Sequence, residues 1–107
     1  MATPDADGVQ RVRIIGGEYF FNPARIVVKA NKPVEFLASK EAGRVPHNLV
    51  IDAAAAGVRV KADLSTEAKR ITFTATAPGA YPLYCDKKLP FFASHRERGM
   101  EGTLEVT

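Results

Sequence analysis

The chain has one cysteine, Cys85, two histidines, His47 and His95, and, beyond Met1, one methionine, Met100. A single thiol excludes a disulfide within the chain and marks Cys85 as a candidate ligand or nucleophile. No stretch of about 18 apolar residues occurs, which excludes a helical membrane span. No run of five or more basic residues occurs either. Lys and Arg are spread along the chain, and a net charge of +3 is too mild for a dedicated nucleic-acid binder. Its first residues do not read as a signal peptide, and the sequence shows no internal repeat and no low-complexity tract. The first seven residues are polar and rich in breakers, and read as the start of a processed chain. Residues 1–8 are therefore expected to form a flexible segment and residues 9–107 a single domain.

What is present is ordinary globular material in an extended pattern. A chain of 107 residues, 46% hydrophobic and 25% charged, suits one compact domain with one core. Short β-type runs at residues 9–15, 25–29, 34–39, 47–51, 70–76, 80–85 and 103–106 are separated by Gly, Pro and Asn. That spacing predicts an all-β fold, a Greek-key β-sandwich of about seven to eight strands. Residues 52–67 read as an irregular connection with a helical turn, because the run Ala53-Ala54-Ala55-Ala56 is cut short by Gly57.

Alternation assigns the faces. Ile71, Phe73 and Ala75 share one side of their strand and the intervening threonines take the other. His47 shares a face with Leu49 and Ile51, and Cys85 with Tyr81 and Leu83. If those faces point inward, the thiol and one imidazole both sit at the end of the core.

The soft and borderline metal ligands are few, and they fall in a telling order. Cys85 ends a strand, His95 lies in the loop after it, and Met100 precedes the last strand. His47 opens a strand far upstream. A mononuclear copper electron-transfer site uses two imidazoles and a thiolate in a trigonal plane with a weak axial thioether. His47, Cys85, His95 and Met100 meet that demand with nothing left over. Each residue has a structural alternative: a lone Cys after a strand is often a small buried hydrophobe, and a Met is often core filler. Four such roles falling in ligand order on converging strands is the less economical reading.

With these residues in view, the chain resembles the cupredoxin family of blue-copper proteins, which includes plastocyanin, azurin and pseudoazurin. Phe21-Asn22-Pro23 followed by Ile26 and Val28 looks like the family's early Phe-x-Pro strand opening. Pro46-His47-Asn48 resembles the segment of the first His ligand. Tyr84-Cys85, His95, Met100 and Gly102-Thr103-Leu104-Glu105-Val106 resemble the ligand loop and last strand. Nine residues separate Cys85 from His95, against two to four commonly in the family. Asp86 also stands where Ser or Thr is usual. The resemblance implies one copper per chain, with zinc able to enter the same site in recombinant material. It assigns Asn48, and with it Asp86, to supporting the ligands rather than binding the ion. It further implies a monomer in the periplasm and a redox-protein partner such as a c-type cytochrome or an oxidase.

Two functions remain: a one-electron carrier, or a periplasmic copper-binding protein for tolerance or delivery. Met- and His-rich tracts, usual in delivery proteins, are missing, which favours the carrier. An enzyme is not expected. A thiol hydrolase needs a thiolate beside a base and an oxyanion site, a multicopper oxidase needs many more histidines, and a dinuclear copper centre needs two cysteines. In the long loop, Lys87, Lys88, Pro90, Phe91 and Phe92 read in two ways. They form a docking face beside His95, or the lysines are simply solvated while the phenylalanines pack inward.

Overall fold

Alternating apolar and polar side chains build nine strands in this computed structural model, which describes residues 6–43, 45–87 and 94–107. The strands are β1 (Gln10–Gly17), β2 (Phe20–Asn22), β3 (Arg25–Val28), β4 (Val34–Lys40), β5 (Asn48–Ala53), β6 (Val58–Asp63), β7 (Lys69–Phe73), β8 (Gly79–Tyr84) and β9 (Glu101–Val106). They form two mixed sheets, ordered β2-β1-β4-β7 and β3-β9-β8-β5-β6. Among the described residues no helix is long and apolar enough to cross a membrane.

The sheets bury their inner faces against each other. Ile14, Val34, Phe36, Ala38 and Ile71 come from the first sheet; Ile26, Val28, Leu49, Ile51, Leu83, Leu104 and Val106 come from the second. Burial of one such large side chain stabilises by about 1.5–3 kcal/mol. Phe36 and Phe73 meet edge to face at 5.2 Å. The one buried glutamine has its polar atoms paired: Gln10 Nε2 donates to the carbonyls of Lys29 and Lys32, and Lys29 N donates to Gln10 Oε1.

The all-β sandwich agrees with the sequence pattern, with two strands more than the seven runs read there. β2 has three residues, too few to show alternation, and exists through its pairing with β1. The correction at 52–67 is larger. Only Ala54–Ala56 form a 3-10 turn, Gly57 reverses the chain at φ 73°, and Val58–Asp63 run as β6 along β5 in a six-residue ladder. The pattern Val58-Arg59-Val60-Lys61-Ala62-Asp63 carries the alternation. Pairing with β5 satisfies the backbone groups of this segment in a ladder rather than in a helix.

Candidate metal centre

Strand register places the candidate ligands at one end of the sandwich. β8 and β9 are antiparallel, with Tyr84 opposite Glu101, so Cys85 and Met100 lie one step past the end of the same ladder. Cys85 N donates to Met100 O at 3.1 Å. β5 pairs with β8 through Val50 and Tyr84, which brings His47, just ahead of β5 rather than inside it, to the same end. A tight turn delivers His95: its N–H donates to Lys87 O, and Met100 N donates back to His95 O, each at 2.9 Å. Gly99 at φ 109° closes that turn in a conformation that favours glycine.

All four side chains are removed from solvent: Cys85 and Met100 are 0% exposed, His95 2% and His47 4%. His47 Nδ1 lies 3.2 Å from His95 Nδ1, and Cys85 Sγ lies 3.4 Å from His95 Nδ1. One ligand atom from each of His47, Cys85 and His95 falls within 4.8 Å of the others. Donors bonded to one ion at about 2.0–2.3 Å necessarily lie roughly 3–4 Å apart, so these spacings fit a single soft or borderline cation. Two ring nitrogens and a sulfur facing each other in a dry site also fit an ion better than an apolar core.

The electrostatics point the same way. Burial pushes the Cys85 thiol above its ordinary value, against the opposing pull of the Asn48 and Lys87 amide N–H groups aimed at the sulfur. Burial pushes both imidazoles down; the neighbouring His95 adds to this at His47, and Arg98 adds to it at His95. Without a metal, these directions favour a neutral thiol beside two neutral rings near neutral pH. A metal needs the thiolate, so uptake must expel the thiol proton, whereas the rings have none to give above the ordinary histidine range. Titration with zinc in weak buffer near neutral pH should release about one proton per ion, and affinity should rise about tenfold per pH unit there. Release of no proton would remove the thiol from the ligand set.

Asn48 and Asp86 sit behind the ligands. Asn48 is fully buried. Its Nδ2 donates to Asp86 Oδ1 at 2.6 Å, and Asp86 N donates to Asn48 Oδ1 at 2.9 Å, which joins the segments on either side of the thiol. Partial burial pulls the Asp86 carboxyl upward, but donation from Asn48 and the Lys61 ammonium at 3.1 Å outweigh it and hold the group below the usual range. The loss of such a support typically costs about 10–100-fold in metal affinity. Asn48→Ala should weaken metal binding to that extent while the number of ligands stays the same. An unaltered spectrum and melting curve would show that the amide does not support the site.

Of the docking residues read from the sequence, Lys87 pairs with Asp63 at 3.1 Å. Lys88, Pro90, Phe91 and Phe92 lie outside the described residues. Two contributors escaped the sequence reading. Tyr19, in the turn after β1, packs its ring 4.9 Å from His95 and 6.3 Å from His47. Gly16 leaves room for Met100, whose methyl would lie 2.8 Å from a Cβ at that position. Neither belongs to a ligand motif, and only sheet pairing brings β1 to this end.

The family model described as Cupredoxin-like domain matches residues 2–104. In fold, the chain is similar to the metal binding domain of the Cu(I) exporting P-type ATPase CopA of Streptococcus pneumoniae D39, with a TM-score of 0.70 and 20% identity over 99% of this chain and 92% of that one. It is similar to auracyanin A, a "blue" copper protein from Chloroflexus aurantiacus, with a TM-score of 0.69 and 20% identity over 94% and 100%. It is also similar to oxidised plastocyanin from Dryopteris crassirhizoma, with a TM-score of 0.61 and 27% identity over 90% and 100%. With the family model spanning nearly its whole length and a His, Cys, His and Met set gathered at one end of its sandwich, the chain belongs to the cupredoxin-like domain family, whose members bind copper.

Proposed function

We propose that the protein is a one-electron carrier holding one copper ion through His47, Cys85, His95 and Met100. The observation that carries this reading is the burial of all four residues, at most 4% exposed, with the donors of His47, Cys85 and His95 already within 4.8 Å of one another. Copper, when bound, supplies one-electron cycling between Cu(I) and Cu(II). The chain's part is to keep the donors dry and fixed, so that little must rearrange between the two states. Delivery of copper calls instead for ligands that another protein can reach, and wholly buried Cys85 and Met100 do not offer that. Cys85 is equally unsuited to hydrolysis: a nucleophilic thiolate needs exposure and a lowered pKa, and this thiol is buried with its pKa raised. The carrier works in the periplasm as a single domain and exchanges electrons with protein partners. Redox titration of the copper-loaded protein tests this: a reversible one-electron couple with the metal retained is expected, and loss of the ion on reduction would favour delivery.

In this reading Met100 would supply the thioether donor and tune the potential. A thioether disfavours Cu(II) relative to harder donors, so this donor would set much of the potential. Met100→Leu should keep copper and raise the potential, and Met100→Gln should lower it. Three equal potentials in voltammetry would place Met100 outside the site.

A further inference from the structure

His95 is the candidate ligand delivered by the surface loop, yet its outer edge is closed. The residue is 2% exposed, and its Nε2 is buried with no hydrogen-bond partner among the described residues. What lies against the imidazole is Tyr19, half-buried at the end of β1, tilted 51° at 4.9 Å from His95 and edge-on to His47 at 6.3 Å. The Arg98 guanidinium lies 5.1 Å from the centre of the same ring. One aromatic ring thus touches both imidazoles and still reaches the surface.

We propose that Tyr19 is the contact through which electrons cross between the metal site and its partner. This rests on the carrier reading. One electron leaves the reduced protein and reduces a one-electron acceptor; the ring bridges the gap and is itself neither oxidised nor protonated. Tyr84 is the rival, because it neighbours Cys85 in the chain and is partly exposed beneath Arg96 at 4.2 Å. Strand alternation turns its ring to the face opposite the thiol, so a path from Sγ to that ring must run back through the backbone. Tyr19 needs no such detour.

The test uses the copper-loaded protein as wild type, Tyr19→Phe, Tyr19→Leu and Tyr84→Leu. Stopped flow follows oxidation of each reduced protein by ferricyanide, which becomes ferrocyanide, and separately by a cationic cobalt(III) complex, which becomes cobalt(II). Tyr19→Leu should slow both reactions by roughly tenfold, because a contact has become a gap, a loss larger than any measured shift in its potential accounts for. Tyr19→Phe keeps the ring and should restore the rate, and Tyr84→Leu should match wild type. A loss with probes of both charges separates the ring from the charge of Arg98. In the metal-free protein, NMR should show the His95 ring protons losing their ring-current shift in Tyr19→Leu and keeping it in Tyr19→Phe. A Tyr19→Leu rate equal to wild type, or faster because the imidazole has been uncovered, overturns the proposal, as does a loss confined to Tyr84→Leu. Absence of a reversible couple in the wild type strikes the carrier reading itself and takes the proposal with it. A sound couple with an unaffected Tyr19→Leu rate strikes only the proposal.

Discussion

Replacing Cys85 by serine should abolish the intense visible band of the Cu(II) protein altogether. The band arises from charge transfer out of a thiolate, and a serine hydroxyl is neither soft nor ionised near neutral pH. The substitution is close to isosteric, and the amide N–H groups of Asn48 and Lys87 that point at Sγ would meet an oxygen able to accept them. The sandwich should therefore survive while the site fails, and copper affinity should fall by more than the about 10–100-fold typical of a lost supporting group. Circular dichroism and a copper titration with visible detection separate the two effects. Strong colour persisting in Cys85→Ser would mean that the chromophore is not this thiolate. A colourless wild-type preparation should first be analysed for zinc, which occupies similar nitrogen and sulfur sites.

Gly102→Ala should destabilise the sandwich strongly. Gly102 lies in β9 opposite Leu83, where the strand runs against the turn before β3, and Thr103 N donates to Ala24 O at 2.7 Å. A Cβ at Gly102 would lie 2.9 Å from the carbonyl carbon of Ala24 and closer still to its oxygen, with Leu83 Cδ1 at 3.1 Å. Two of these three neighbours are backbone and cannot rotate away. The sheet must therefore open between β3 and β9, which pair in parallel from Arg25 and Thr103 onward, where Arg25 and Glu105 are also joined as an ion pair. Overpacking of this kind costs on the order of 3 kcal/mol, a fall of about 15 °C in Tm for a domain of this size. Thermal melting of the metal-free variant measures it. The copper protein should also show an altered spectrum, because Met100 stands two residues before the displaced backbone. A Tm within about 2 °C of wild type would show that the strand and turn can part at little cost.

Sequence alone determined the class of the fold, most of its strands and the scarcity of ligands. Alternation is a local property, so Ile71 and Ala75, Leu49 and Ile51, and Leu104 and Val106 declared their buried faces without any partner in view. Scarcity is local too: with one thiol, two imidazoles and one internal thioether, few ligand sets were possible. Tertiary structure decided what depends on pairing. β6 exists because β5 completes its ladder, against the helical preference of the preceding alanines. The burial of His95 beneath Tyr19 also emerged only there, since β1 and the ligand loop are far apart in the chain. The same holds for Asp86, whose link to Asn48 spans two strands, and for Gly102, whose need for a bare backbone arises from Ala24. A residue's chemistry can be read from its own type and its immediate neighbours. Its contact distances and solvent exposure are set by chain segments that only folding brings beside it.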